Sequence, residues 1–310
     1  MPLTLGTRGS SLAVAQATLV RDSLTALGEE VEIVTITTSG DERSEGAAPP
    51  AADEDKSRFV KEIEAALLSN QIDLAVHSAK DVPSELPEGL DIVGVPRRAD
   101  ARDALCGRQG TLEALADGAS VGTASLRRRA QLLAARPDLR VRPLRGNVDT
   151  RLRRLADGEL EAIVLAVAGL ERLERDDGVA IPEELMTPAA GQGCLALEAR
   201  ADDPRARELA ARLTHHESLT ALLAERALVA GIGATCRTPV GAHARVEDGA
   251  LRLDSFAGMP DGSGWIRDSL LGSADDPAAL GAAAAERLLA AGATDLLDAA
   301  ERWSPAVAPR

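Results

Sequence analysis

Two widely separated stretches, Gly6-Thr7-Arg8-Gly9-Ser10-Ser11-Leu12 and Gly122-Thr123-Ala124-Ser125-Leu126, spell nearly the same turn. Each follows a short apolar run and opens a helical pattern, so each reads as a strand that breaks at Gly-Thr and hands over to a serine-capped helix. The first helix is expected over 11–27, with Gly28 past its end. Strands are expected over 31–37, 72–77 and 90–95, with the helical "FVKEIEAALLSN" between them. This βαβ alternation calls for a largely parallel sheet. The pattern restarts at "ASVGTASLRRRAQLLAARP" and repeats in "VRPLRGNVDTRLRRL" and "LEAIVLAVAGLERL". "LMTPAAGQGCLALEAR" reads as a Gly-rich crossing into a further strand. The tail has a different pattern, with helical "HHESLTALLAERALVAG", then apolar-polar alternation around the turns EDG and PDGSG, then two helices. The expected fold is two α/β domains, 1–98 with 194–214 and 102–190, and a smaller α+β domain over 217–310. A hinge is expected over 97–103.

Charge narrows the function. The chain carries a formal net charge of -14, yet between Arg127 and Arg154 it holds ten arginines against only Asp138 and Asp149. A nucleic-acid binder would show overall basicity or stacking aromatics, whereas this chain repels a polyanion and has two Phe, two Trp and no Tyr. No leader-like segment and no run of about twenty apolar residues is present, so a cytoplasmic protein without membrane contact is expected. Cys106, Cys194 and Cys236 are odd in number and lack any CxxC spacing, which disfavours disulfides and a metal site.

Three constellations carry chemistry. Arginine presents a planar, permanently charged fork for carboxylate or phosphate, and helix N-termini add amide donors. Arg127, Arg128, Arg145 and Arg151 occupy first helical turns or the turns before them, which suits an anionic ligand. Among Arg136, Arg140, Arg142, Arg153 and Arg154 some belong to a solvated helix face. In "IDLAVHSAKDVP" an apolar strand emits Ser78, Lys80 and Asp81, where a parallel sheet binds ligands; the bland reading of Lys80-Asp81 is a solvated turn. In "GIGATCRTPVGAHA", Cys236 lies in a Gly-bearing loop beside Arg237. That setting favours a thiolate available for covalent attachment, against the common role of a small buried hydrophobe. Cys106 and Cys194 sit in strand-like apolar context, and His215 and His216 are read as structural. The low-complexity stretch "SGDERSEGAAPPAADEDKSR" is either a lid or a surface insertion.

These motifs, in this order, resemble the hydroxymethylbilane synthase (porphobilinogen deaminase) family. The resemblance rests on "TRGSSLAVAQ", "FVKEIEAALL", "DLAVHSAKDVP", "VGTASLRRRAQL", "RGNVDTRLRRL", "AIVLAVAGLERL", "PAAGQGCLALE" and "ATCRTPVGAHA" and covers most of the chain. It implies two periplasmic-binding-protein-like α/β domains plus a small α+β C-terminal domain. It also implies head-to-tail joining of four porphobilinogen molecules, with loss of ammonia, on a dipyrromethane cofactor held by a thioether to Cys236. Asp81 would be catalytic, with Lys80 beside it. The cofactor would meet Ser78, Lys80, Asp81, Thr123, Ser125, Arg127, Arg128, Arg145 and Gly146. The substrate would meet Arg8, Ser10, Gln16, Lys56, Arg145, Arg151, Arg172 and Gln192, and a monomer is expected. The chain departs from the family pattern at Ala124, Arg129, Cys194 and Ala234, none of which is assigned chemistry, and in the acidic loop 41–58. The competing expectation is a non-catalytic protein that closes on an anionic solute, either a solute-binding protein or a regulator's effector domain, with no covalent group.

Overall fold

The computed structural model describes residues 1–38, 60–234 and 238–303. Lys56, Cys236 and the acidic loop 41–58 lie outside these described residues.

The chain begins as β1 (Leu3–Arg8), α1 (Ser11–Ala26) and β2 (Val31–Ile36). Ser10 caps α1 by accepting from the amide of Ala13, and Gly28 takes the left-handed conformation (φ 92°) that ends the helical turn. Next come α2 (Lys61–Leu68), β3 (Leu74–Ser78), a 3-10 turn (Ala79–Asp81) and β4 (Leu90–Gly94). The chain then crosses into β5 (Asp103–Gly107), β6 (Ser120–Gly122), α3 (Leu126–Ala135), β7 (Arg140–Arg142), α4 (Val148–Ala156), β8 (Ala162–Ala166), α5 (Val167–Arg172) and β9 (Gly178–Ala180). It crosses back into β10 (Leu195–Arg200) and α6 (Pro204–Leu213). The last part comprises α7 (His216–Gly231), β11 (Val240–Glu247), β12 (Ala250–Gly258), β13 (Trp265–Ser273), α8 (Pro277–Ala290) and α9 (Ala293–Arg302).

Three sheets result, ordered β2-β1-β3-β10-β4, β7-β6-β8-β5-β9 and β11-β12-β13. The expected pair of α/β units with a smaller α+β unit is therefore present. The first two sheets depart in one way from the parallel expectation: β10 runs antiparallel to β3 and β4, and β5 runs antiparallel to β8 and β9. Each is the strand reached directly from a crossover, so it enters its sheet from the end at which the parallel strands finish. Apolar clusters cover both faces of each large sheet; Leu5, Leu24 and Leu197 lie on one side of the first, Ile63, Leu67 and Ile72 on the other. Buried on both faces, these strands read as continuous apolar runs. The third sheet is a meander whose first hairpin turns on Asp248 and Gly249, both at positive φ, as a two-residue primed turn requires.

One further cluster positions the site. Ala79, the first residue of the 3-10 turn, and Val82, just after it, pack with Val95, Cys194 and Ala196, and with Leu222 of α7. The turn after β3 is thus wedged between the first sheet and the helix that leads toward Cys236. Among the described residues, no helix is long and apolar enough to cross a membrane.

Helix α8 packs on α7 through Gly281, where an added Cβ would run into the carbonyl oxygen of Ala224 and stand 2.6 Å from the Ala227 Cβ. Gly281→Val therefore lowers stability by about 1–3 kcal/mol through overpacking, read as a lower urea midpoint; an unchanged midpoint would show that the two helices do not meet there.

Candidate active site

The ends of β1 and β3 and the N-terminal turn of α1 open onto a common pocket. Arg8, Gln16, His77, Ser78 and Asp81 line it together with Val60 at the start of α2. Ser78 closes β3, and its hydroxyl takes a 2.9 Å hydrogen bond from the Gln16 amide, tying the strand end to α1. Two residues on, the 3-10 turn carries Lys80 and Asp81. Lys80 Nζ donates to Gln192 Oε1 at 3.3 Å. Gly191, at φ 72°, lies so close behind this turn that a Cβ would stand 2.9 Å from Ala79 C and Lys80 N. Glycine is needed there for both the backbone angle and the approach.

The second α/β unit brings its own helix N-termini. Thr123 is buried, and its hydroxyl accepts from the Ser125 amide at 3.1 Å. Ser125 caps α3 by accepting from the Arg128 amide, and Asn147 caps α4 by accepting from the Thr150 amide. As N-caps, Ser10 and Ser125 use oxygen lone pairs and keep an O–H to donate. Arg145 stands exposed on the turn before α4, followed by Gly146 at φ 113°. Arg151 is half-buried on α4 and donates from Nε to the Gly146 carbonyl at 2.8 Å. Burial, the nearby Arg128 charge and, in the opposite sense, Asp81 bring the Arg151 pKa down to about 10. Arg151 and Asp81, from different sheets, therefore share one field. Arg172 on α5 is also half-buried, and it donates to the Gly193 carbonyl at 2.7 Å. Among the described residues neither Arg151 nor Arg172 has a carboxylate within ion-pairing distance.

Arg127 and Arg128 differ from these two. Their guanidiniums turn inward onto Asp103, a fully buried carboxylate at the start of β5. Arg127 reaches Asp103 Oδ2 and the Thr187 carbonyl, both at 2.7 Å; Arg128 reaches Asp103 Oδ1 and the Val164 carbonyl at 2.8 and 2.9 Å. Burial alone would raise the Asp103 carboxyl, but the two arginines and the Gln192 amide hold it well below the usual range. Gln192 completes the node by donating to Asp103 Oδ1 at 3.0 Å and to the Ala101 carbonyl at 2.7 Å. Its own carbonyl accepts from Arg98 at 2.8 Å, and Arg98 pairs with the buried Glu225 of α7. Glu225 also accepts from the amides of Gly191 and Ala244.

Sequence reasoning found the arginines but missed Asp103, Arg98 and Glu225. Asp103 had a signal: it is the acid that directly opens an apolar run, in the segment expected to be a hinge. Glu225 had none, since it sits in an ordinary helical pattern 127 positions from Arg98. His215 is the N-cap of α7, and burial pushes the Cys106 and Cys194 thiols up to about 12 and about 11.

Comparison with known proteins identifies the family. Residues 3–208 match the family model for the porphobilinogen deaminase dipyromethane cofactor binding domain, and residues 219–290 match the porphobilinogen deaminase C-terminal domain. The porphobilinogen deaminase of Deinococcus radiodurans is 46% identical over 303 residues, covering 96% of this chain and 98% of that protein. The Roseiflexus castenholzii porphobilinogen deaminase is 49% identical over 300 residues, covering 95% and 98%. Among solved structures, a periplasmic substrate-binding protein from Coxiella burnetii is 14% identical with a TM-score of 0.42, over 67% of this chain and 90% of that one. The chain belongs to the porphobilinogen deaminase family.

Asp103→Asn leaves two buried guanidiniums short of their counter-charge and costs about 3–5 kcal/mol at neutral pH. Because the native carboxyl titrates below its unfolded value of 3.8, the contribution is full above that pH and is lost as pH falls through the lower native value. Denaturant unfolding of variant and wild type should therefore converge only in strong acid; a pH-independent gap would contradict an ionised Asp103.

Proposed function

We propose that the chain is a hydroxymethylbilane synthase, a cytoplasmic monomer that joins four porphobilinogen molecules head to tail, releasing ammonia, on a dipyrromethane group tethered to Cys236. The observation that carries this reading is the pair of half-buried guanidiniums, Arg151 and Arg172, that meet no carboxylate among the described residues, one of them sharing its field with Asp81. Desolvated cations of this kind suit a ligand that brings its own carboxylates. Porphobilinogen and a group made from it carry an acetate and a propionate on every ring.

The donor set fits a dipyrromethane. Arg145, Arg151 and Arg172 offer charged forks; Ser78, Ser125 and Thr123 offer hydroxyls; and Gly146 lets the backbone come close. Lys80 is the cation nearest Asp81 in sequence. Arg127 and Arg128 act chiefly through Asp103, which fixes the first turn of α3 and thereby the amides and the Ser125 hydroxyl it presents. Arg8, Ser10, Gln16 and Gln192 are assigned to the incoming substrate, as is Lys56, which lies outside the described residues. When bound, the dipyrromethane supplies a pyrrole α-carbon as nucleophile.

Asp81 has two tasks, to receive the substrate's aminomethyl end and to hold positive charge as ammonia departs. A carboxylate about 4 Å from the developing charge, at an effective dielectric near 20, contributes roughly 4 kcal/mol, on the order of a thousandfold in rate. Arg151 helps keep Asp81 ionised by favouring its charged form. On this reading the separation of the two proposed arms, 1–98 with 194–214 and 102–190, sets the room available to a lengthening product.

Asp81→Asn is expected to keep the covalent group and lose about three orders of magnitude in turnover, measured on holoenzyme whose intact mass has been checked. Turnover within tenfold of wild type would remove Asp81 from the reaction. Arg151→Leu should raise KM for porphobilinogen at least about tenfold, the scale of one charge-assisted hydrogen bond; an unchanged KM would make Arg151 a structural cation.

A further inference from the structure

Behind the pocket wall lies a group of titratable side chains with no part in the mechanism above. His77, on β3, is 4% exposed in its side chain, and its Nε2 stands 2.9 Å from Oε2 of Glu198, which is fully buried on β10. The register explains the contact: Glu198 pairs with Ala75 and therefore faces the same side of the sheet as His77, one pleat along. Glu64 comes down on the same face from α2 and is 6% exposed. The His77–Glu198 approach is close but off the hydrogen-bond line, so both oxygens of Glu198, and Oε1 of Glu64, are buried without a donor among the described residues.

Two buried carboxylates set against one imidazole cannot both be charged at acceptable cost. Protons must reside in the cluster. Burial and the Glu198 charge favour the neutral form of Glu64. A carboxylate at Glu198, 2.9 Å from His77 Nε2, is the counter-charge that an imidazolium at His77 would need. The surrounding charged groups are Arg8 at the end of β1, Asp81 on the turn after β3, Lys61 on α2 and Arg226 on α7, the last two acting on Glu64 and Glu198. His77 itself borders the pocket shared with Asp81 and Gln16.

From this juxtaposition we propose that His77 is a further catalytic residue, the base that takes the proton from the pyrrole α-carbon after each new carbon–carbon bond forms, with Glu198 positioning and charging it. The inference rests on the proposed hydroxymethylbilane synthase reaction. The balance is simple. The α C–H bond breaks, its electron pair restores the aromatic ring, and the proton goes to Nδ1 of His77, the ring nitrogen not set against Glu198. It is then discharged to the ammonia freed in the same round, which leaves as ammonium. Asp81 can thus stay ionised throughout, as holding a cation requires, because a second group handles the proton.

The test uses holoenzyme and porphobilinogen carrying deuterium at its free α-carbon. Wild type is checked first for the mass of the bound group and for turnover; failure there sinks the underlying functional reading and is distinguishable from anything His77 does. His77→Gln should retain the bound group and keep KM within about threefold. Its kcat should fall about a hundredfold, the lower range for a lost general base, while the deuterium effect rises from near 1 to above about 2 as proton removal becomes limiting. A kcat within about threefold of wild type, or a loss without an isotope effect, would overturn the proposal and leave His77 a structural residue. Should His77→Gln fail to fold, Glu198→Gln is read by the same criteria.

Discussion

The structure depends on one buried carboxylate. Asp103 stands where the chain enters the second sheet from the first crossover, and Gln192 stands on the second crossover, so the bond between them ties together the two links between the α/β units. Arg127 and Arg128 close the node from the first turn of α3. A buried ion set of this kind is weak evidence of stability for its own sake, because desolvation offsets much of the attraction. Its value here is geometric. Fully satisfied, it allows one arrangement of the crossovers against α3, and in that arrangement α4 holds Arg151 in the field of Asp81.

The same logic extends to the third sheet. Arg98 leaves the first crossover to pair with Glu225, and Glu225 gathers the amides of Gly191 and Ala244. Arg226, the next residue along, places its guanidinium on the carbonyls of Val82, Pro83 and Ser84, directly after Asp81. Helix α7 therefore grips the aspartate-bearing turn from one side while its own C-terminus leads on toward Cys236.

Much of this was legible in the sequence. The βα alternation, the serine caps of α1 and α3, the two-residue hairpin turn and the gathering of arginines at strand ends are all local, and local patterns are what a sequence displays. The direction of β5 and β10 was not legible, because it follows from where the crossovers enter each sheet. Nor could Arg127 be told apart from Arg151. Both occupy early helical turns, but one has Asp103 waiting 24 positions away, and the other has no carboxylate among the described residues. His77 was in plain view near the end of an apolar strand, yet its partners Glu198 and Glu64 lie on other elements, and only the sheet register and the packing of α2 bring them together.

The central claim is that a cleft of desolvated arginines holds a carboxylate-bearing pyrrole group bound through sulfur. The most direct measurement is the intact mass of the purified protein under denaturing conditions, beside that of Cys236→Ser. The account predicts a mass above the polypeptide's by one dipyrromethane unit in the first and the bare polypeptide mass in the second. A bare mass in protein that converts porphobilinogen to hydroxymethylbilane would contradict it.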